Sequence, residues 1–196
     1  MTVEAYTTRY RIPVTLGSEG EVPVGMSVSS SSVDPSLISV SGPKSVVDQI
    51  VRARAVIDLS TLPDEEGLIE TAVPFTLIDR QGEEVSSDLI EVTSEGILLD
   101  SVIVEQMLYP TRTIEFSSAG LLTGTPAEGY EIRSVTYTPV SVTASGSSED
   151  LAALDELFAS SAIDVTGLDE SFVRTVKVRK PTELVSLSPD SVTVQV

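Results

Sequence analysis

The sequence lacks cysteine, histidine and tryptophan, and aromatic residues make up only 5% of its 196 residues. Without thiol and imidazole side chains, the chain has no cysteine nucleophile, no sulfur or nitrogen ligand for zinc and no histidine general base. With so few aromatic residues, a packed core must be built from Val, Ile and Leu, and the β-branched Val and Ile favour pleated sheets. These absences argue against the common hydrolytic and metal-dependent enzymes and favour a β-rich protein.

Basic residues are also scarce, since 12 Lys and Arg stand against 30 Asp and Glu and the formal net charge is −18. An acidic surface of this kind repels phosphate backbones, and no cluster of Lys or Arg offsets it locally, so we expect no nucleic-acid partner. No apolar run reaches the length of a membrane span, and the N-terminus lacks the basic and apolar regions of a signal peptide. We therefore expect this chain to be soluble.

The chain contains an internal repeat, in which three short segments occur in the same order in each half. In the first half they are 39–42 (Ser-Val-Ser-Gly), 56–60 (Val-Ile-Asp-Leu-Ser) and 100–104 (Asp-Ser-Val-Ile-Val). In the second half they are 143–146 (Thr-Ala-Ser-Gly), 162–166 (Ala-Ile-Asp-Val-Thr) and 190–194 (Asp-Ser-Val-Thr-Val). The separation is 104 residues at Gly42 and Gly146 but 90 at Asp100 and Asp190. A period of this length indicates duplicated domains rather than a solenoid.

Apolar and polar residues alternate along most of the chain, which predicts half-buried β-strands. The clearest alternating apolar positions are Ile12, Val14, Leu16, Val135, Tyr137, Val176, Val178, Val192 and Val194. We therefore predict a mainly β protein made of two tandem small β domains, barrel- or sandwich-like, at 6–106 and 111–196.

Each copy breaks the alternation once, at a predicted short helix. In the first copy Pro43 suits a first helical turn, and an apolar stripe at Val46, Val47, Ile50 and Val51 follows it. In the second copy Ser147 and Asp150 have the spacing of a capping box. The apolar stripe that follows comprises Leu151, Leu154, Leu157 and Phe158.

The second copy contains 124–130 (Gly-Thr-Pro-Ala-Glu-Gly-Tyr), 135–139 (Val-Thr-Tyr-Thr-Pro), 142–146, 163–167 and 188–194, in this order. This succession resembles a YbbR domain, and the pattern spans roughly residues 111 to 196. The first copy resembles the same domain more loosely, through Pro35, 40–43 and 57–60, and departs from it at 61–96.

The resemblance implies a fold with swapped or crossing strands, related to the β-barrel of ribosomal L25-type domains. It also implies a native protein that is anchored through a transmembrane segment missing from this chain, with its YbbR domains on the extracytoplasmic face of the cell membrane. The expected function is non-enzymatic regulation of a membrane diadenylate cyclase, which makes cyclic di-AMP, through protein–protein contact. A structural or adhesin-like cell-envelope repeat is the alternative.

No residue is assigned here as catalytic, cofactor-binding or metal-binding, and no cofactor or small-molecule substrate is predicted. Asp58 and Asp164 are interpreted as strand-end carboxylates that accept hydrogen bonds from nearby backbone N–H groups. The acidic groups 64–66 and 164–170 offer oxygen ligands but lack the pattern of an EF-hand loop, and are interpreted as solvated. Lys44, Ser45 and Lys177 are interpreted as solvated residues rather than a Ser/Lys catalytic pair.

Overall fold

The computed structural model describes residues 4–196, which form a mainly β protein with open sheets and two short α-helices. The predicted mainly β class, with one short helix in each small β domain, is confirmed. The chain divides into two compact units, the second of which takes three residues, Gly25–Ser27, from the first half of the sequence. None of the helices in residues 4–196 is long and apolar enough to cross a membrane.

Unit 1 comprises the described residues up to Val24 together with Val28–Leu108. Its strands are β1 (Tyr6–Glu19), β2 (Met26–Asp34) from Val28 onward, β3 (Leu37–Pro43), β4 (Arg52–Asp58), β5 (Gly67–Ile78), β6 (Glu91–Ser94), β7 (Ile97–Leu98) and the first part of β8 (Ser101–Phe116). Helix α1 (Lys44–Val47) follows β3. The strand order is β8-β5-β4-β1-β3-β6-β7, with β2 on the other edge of β8. All pairs on this path are antiparallel except β1 with β4.

The core of unit 1 is aliphatic. Its most deeply buried side chains are Ile12, Ile38, Val40, Val47, Ile50, Ala53, Ala55, Ile57, Val102, Val104 and Leu108. Apart from Val47 in α1 and Ile50 just after it, they come from alternate positions of β1, β3, β4 and β8, because successive side chains of a strand point to opposite faces of its sheet. The alternation at Ile12 and Val14 thus correctly predicted a strand whose alternate side chains face the core.

Unit 2 comprises Gly25–Ser27 and Tyr109–Val196. After the second part of β8 its strands are β9 (Leu122–Thr123), β10 (Thr136–Thr138), β11 (Ser141–Ser145), β12 (Glu156–Leu157), β13 (Ile163–Asp164), β14 (Val173–Lys177), β15 (Ser186–Ser188) and β16 (Ser191–Gln195). Helix α2 (Ser148–Ala152) follows β11. One sheet has the order β15-β11-β8 with β12 beside β8, a second has the order β10-β16-β14, and β9 pairs with β13.

The core of unit 2 is likewise built from aliphatic residues, with one phenylalanine. It contains Ile114, Phe116, Leu121, Val142, Ala144, Leu151, Leu157, Ile163, Val165, Val176, Val178, Leu184, Val192 and Val194. The ring of Phe116 meets that of Tyr137 edge to face at 5.3 Å. Crossing of the strands is visible at Gly25, whose carbonyl accepts a 2.7 Å hydrogen bond from Thr111 N within this unit.

Both helices are shorter than their apolar stripes predicted. The predicted cap of α2 is present, since Ser147 Oγ accepts from Asp150 N at 3.1 Å. The helix nevertheless ends at Ala152, and Leu157 lies in strand β12, where it pairs beside Phe116. In the first copy Ile50 is buried but lies beyond α1. The helix lengths predicted from the stripes are therefore wrong. The last apolar residues of each stripe are buried against the sheets and do not continue the helix.

An arginine from the first strand of each unit binds backbone carbonyls in the last turn of the helix or just after it. Arg9 pairs with Val40 and donates to Ile50 O at 2.5 Å. Arg112 pairs with Ala144 and donates to Leu151 O at 2.7 Å and Leu154 O at 3.1 Å. The carbonyls at a helix C-terminus lack intrahelical partners and carry partial negative charge, so a guanidinium stabilises them.

We expect Arg112→Met to lower the free energy of unfolding by about 1–3 kcal/mol, because two charge-assisted hydrogen bonds to carbonyls are lost while the apolar stem is kept. Urea unfolding followed by circular dichroism measures this. Arg80→Met, at an exposed turn position, is the control and should change stability by less than about 0.5 kcal/mol. Equal effects of the two substitutions would contradict the capping role.

Candidate interaction surface

Asp58 and Asp164 form the same local structure in the two units. Asp58 Oδ1 accepts from Ser60 N at 2.9 Å and from Ser60 Oγ at 2.6 Å. Asp164 Oδ1 accepts from Thr166 N at 2.9 Å and from Thr166 Oγ1 at 2.6 Å. The geometry agrees with the interpretation that these carboxylates close strand-end turns.

These hydrogen bonds stabilise the charged form of each carboxyl group. Hydrogen bonds from Ser60 hold the pKa of Asp58 below its ordinary value of 3.8; the hydroxyl makes the largest contribution and the backbone N–H the next. The hydroxyl of Thr166, followed by its backbone N–H, does the same for the pKa of Asp164. A carboxylate that is ionised and engaged in this way cannot serve as a general acid near neutral pH.

A glycine faces each of these carboxylates. Gly20 has φ +72° and a Cβ there would lie 2.5 Å from Asp58 Oδ1. Gly124 has φ +85° and a Cβ there would lie 2.6 Å from Asp164 Oδ1 and would overlap Thr166 Oγ1. Positive φ and close approach together require glycine at both places.

Gly42 and Gly146 each precede the N-cap residue of a helix and lie against a neighbouring segment. Gly42 lies inside β3, and a Cβ on it would come within 3.0 Å of Leu89 O. A Cβ on Gly146 would come within 3.0 Å of Leu184 Cδ2. Both are buried, so the packing of a neighbouring segment and not backbone conformation favours glycine here.

The other polar residues considered from the sequence do not form a catalytic or metal-binding cluster. Lys44 Nζ forms an exposed ion pair with Asp48 at 2.5 Å, and Ser45 N donates to Glu4 Oε1. Lys177 is exposed on β14. Within residues 4–196 no three acidic side chains converge to hold a metal ion.

Unit 1 carries a β-bulge that unit 2 lacks. The register of β1 with β3 shifts by one residue between Arg9 and Ile12, and Arg11 has φ +58°. In unit 2 the equivalent strand pairs with β11 without a shift. An extra residue in one strand re-aims the side chains beside it, and bulges often occur next to functional sites.

A second departure lies opposite the bulge, in the hairpin of β6 and β7. Glu95, at the tip of this hairpin, has φ +51°. Among the described residues, Arg11 and Glu95 are the two non-glycine residues with positive φ. At Arg11 this conformation costs about 1–2 kcal/mol, and such outliers concentrate where a ligand or partner binds. Glu95 and Gly96, with φ +51° and +84°, form the two-residue hairpin turn, which requires positive φ at both positions.

Both residues line one open groove, which we call the unit 1 groove. Its volume is about 630 Å³, and it is lined by Tyr10, Arg11, Asp34, Pro35, Ser36, Leu37, Ile38, Ser39, Ser94, Glu95, Ile97 and Leu99. Tyr10 is 71% exposed and Ile97 is 69% exposed. In this groove an aromatic and an aliphatic side chain lie beside an arginine and two carboxylates. Such a composition is typical of protein-contact surfaces.

The groove was not predicted from the sequence, although the sequence contains one signal of it. Four residues, Arg-Tyr-Arg-Ile at 9–12, stand where the second copy has three, Arg-Thr-Ile at 112–114. Aligning the copies at this strand would have revealed the extra residue. The hairpin tip at Glu95 belongs to the divergent segment 61–96, but no local pattern connects it to Tyr10, which lies more than 80 residues earlier.

Comparison with known proteins gives one family and two solved structures. A family model described as "YbbR-like protein" matches residues 12–95 and 121–196. No curated protein matches the sequence. The crystal structure of a YbbR-like protein from Streptococcus pneumoniae TIGR4 is 10% identical with a TM-score of 0.33, over 100% of this chain and 95% of that one. The solution structure of SuR18C from Streptococcus thermophilus is 16% identical with a TM-score of 0.35, over 54% and 84%. Both TM-scores are too low to support a statement about fold or function.

Gly124→Ala should be more destabilising than Gly167→Ala. Both glycines have positive φ, but a Cβ on Gly167 meets nothing within 4 Å, whereas a Cβ on Gly124 displaces the Asp164 turn. We expect the shared φ penalty to cost about 1–2 kcal/mol and the overlap at Gly124 to add about 1–3 kcal/mol. Urea unfolding of both variants checks the difference, and equal losses would contradict the close contact.

Thr166→Val should raise the pKa of Asp164 toward 3.8, because the hydroxyl that makes the largest contribution is removed. The folded-state pKa of Asp164 is depressed, so its stabilising contribution is present above the unfolded value and is lost as the pH falls through the lowered value. As the pH falls below about 4, the free energy of unfolding should therefore decrease less in Thr166→Val than in the unmodified protein.

An NMR titration of the Asp164 side-chain carboxyl carbon measures this shift directly. Thr143→Val is the control, since Thr143 is an exposed strand residue away from the turn. An unchanged Asp164 titration in Thr166→Val would show that the hydroxyl does not stabilise the carboxylate.

Proposed function

The chain belongs to the YbbR-like family, whose model matches two segments that cover more than half of it, and from this membership we propose that it is the extracytoplasmic part of a membrane-anchored regulator. Its target in this proposal is a membrane diadenylate cyclase, and it changes cyclic di-AMP synthesis through protein contact. The observation that carries the proposal is the tandem pair of YbbR-like segments. The proposed anchor is a segment outside these 196 residues.

The side-chain chemistry supports contact rather than catalysis. The chain has neither cysteine nor histidine, and the carboxylates of Asp58 and Asp164 are engaged in local turns. The unit 1 groove combines exposed apolar side chains with charges of both signs. We propose this groove as the contact surface because the bulge at Arg11 and the turn at Glu95 set unit 1 apart from unit 2, and loops that vary on a common scaffold are where function usually resides.

The proposal is tested by co-expressing the full-length anchored protein with its cognate cyclase and measuring cyclic di-AMP by mass spectrometry. We expect the protein to change the cyclic di-AMP level, in either direction, relative to cells with the cyclase alone. Tyr10→Ala combined with Ile97→Ala should remove at least about half of that change, because central aromatic and aliphatic anchors contribute most of the energy of an interface.

The matched control is Leu68→Ala combined with Leu89→Ala, which removes two exposed apolar side chains of unit 1 outside the groove. This control should retain the full effect. If the full-length protein leaves cyclic di-AMP unchanged and no complex survives detergent extraction, the regulator proposal is wrong. If the unmodified protein changes the cyclic di-AMP level and both double variants change it by the same amount, the groove is not the contact surface.

A further inference from the structure

Unit 1 contains a second cavity, which we call the Gln106 cavity and which shares no residue with the unit 1 groove. Its volume is about 310 Å³, at the lower end of the range for sites that bind small molecules. It is lined by Leu16, Gly17, Ser18, Val28, Ser31, Ile57, Leu59 and Gln106. All eight residues belong to unit 1, so the cavity lies within a single unit.

Among the described residues that line the Gln106 cavity, none is charged. Four are aliphatic, three carry a hydroxyl or an amide, and one is glycine. This composition differs from that of the whole chain, in which 21% of the residues are charged. An ionic group placed here would lose water without gaining a partner of opposite charge, which is costly. The cavity therefore suits a neutral molecule with an apolar body.

The most unusual residue of the cavity is Gln106. The neighbouring inward-facing positions of β8 hold Val102, Val104 and Leu108, which are aliphatic and buried. Gln106 is only 2% exposed. Its Nε2 donates to Ser31 Oγ at 3.2 Å, but within residues 4–196 its Oε1 accepts no hydrogen bond. A buried acceptor without a donor destabilises the fold, so we expect a role for this amide beyond folding.

The second copy indicates that strand packing does not require this amide. The counterpart of Gln106 is Val196, at the spacing of 90 residues that relates the closing strands. The counterpart of Ser31 is Val135, at the spacing of 104 residues that relates the glycines before the helices. A polar pair in unit 1 thus occupies the place of an apolar pair in unit 2. An apolar pair needs no hydrogen-bond partner, so the polar pair is a specific feature of unit 1.

We propose that the Gln106 cavity binds a small neutral molecule that carries one O–H or N–H donor on an apolar body. The donor pairs with Gln106 Oε1, and the apolar body packs against Leu16, Ile57 and Leu59. Oε1 is covered by protein atoms in the free chain, and the broad last torsion of a glutamine side chain lets it turn toward the ligand. Ser18 and Ser31 are exposed, so the cavity opens to solvent beside them.

The volume limits the size of this ligand. A cavity of roughly 150 Å³ is enough for one benzene ring, so the Gln106 cavity holds a single ring or a short alkyl chain with its polar substituent. The inference does not depend on the regulator proposal, because the Gln106 cavity and the unit 1 groove are lined by different residues.

Benzyl alcohol and anisole are a matched pair of probes, because they are isomers and only benzyl alcohol carries a donor. Each is titrated into the isotope-labelled chain and followed by NMR of side-chain methyl and amide groups. We expect benzyl alcohol to cause saturable shifts at Ile57, Leu59 and the Gln106 amide. Its affinity should be at least about tenfold higher than that of anisole, because the buried acceptor gains its missing donor.

Gln106→Met removes the acceptor and keeps the length of the side chain. The affinity for benzyl alcohol should fall at least about tenfold, while that for anisole should change by less than about twofold. Gln81→Met, at an exposed turn of unit 1 outside the cavity, is the matched control and should bind both probes as the unmodified chain does.

Urea unfolding of Gln106→Met shows whether the amide serves the fold instead. We expect a midpoint no lower than that of the unmodified chain, because an unpaired buried group is removed and Ser31 is exposed to water. A clearly lower midpoint, or failure to fold, would mean that the amide is needed for packing and would contradict the proposal.

Three results of the titrations would also overturn the proposal. In the first, neither probe causes saturable shifts at the residues that line the cavity. In the second, both probes bind equally well and Gln106→Met leaves both affinities unchanged. In the third, nuclear Overhauser effects show a long-lived water molecule at the Gln106 amide that benzyl alcohol does not displace, so that water supplies the missing donor.

Discussion

The rest of each unit depends on its closing strand, which contains Val102 and Val104 in unit 1 and Val192 and Val194 in unit 2. In unit 1 the first part of β8 is paired by β5 on one edge and β2 on the other, and in unit 2 β16 is paired by β14 and β10. Val102, Val104, Val192 and Val194 are at most 1% exposed. Full burial of each valine contributes roughly 1.5–3 kcal/mol.

The two units share a framework and differ in what is placed on it. The arginine that binds the end of the helix and the Asp turn that faces a glycine are present in both units, so they belong to the common architecture. The bulge at Arg11 and the hairpin tip at Glu95 are features of unit 1. A duplicated fold can thus carry a surface that only one copy has, because strand pairing tolerates a local insertion as long as the core residues keep their register.

Local features were predictable from the sequence because their causes are local. The cap at Ser147 requires only a residue three positions later, and the turn at Asp164 requires only a donor two positions later. Alternation located strands at Ile12 and Val192 because the period of two is imposed by the strand itself. Features that depend on distant residues were missed. Arg112 binds carbonyls about 40 residues away, and Leu157 lies in a strand rather than in the helix because β8 pairs beside it.

The mainly β class, the tandem repeat, the helix cap and the carboxylate turns could be predicted from the sequence, since each follows from the chemistry of residues within a few positions of one another. Only the folded chain shows that Tyr10, Leu37 and Ile97 line one groove, and that Arg112 reaches the carbonyls of Leu151 and Leu154. Both outcomes are set by the register of strands that are far apart in the chain. A register depends on how the whole set of inward-facing side chains packs, and no short segment contains that information.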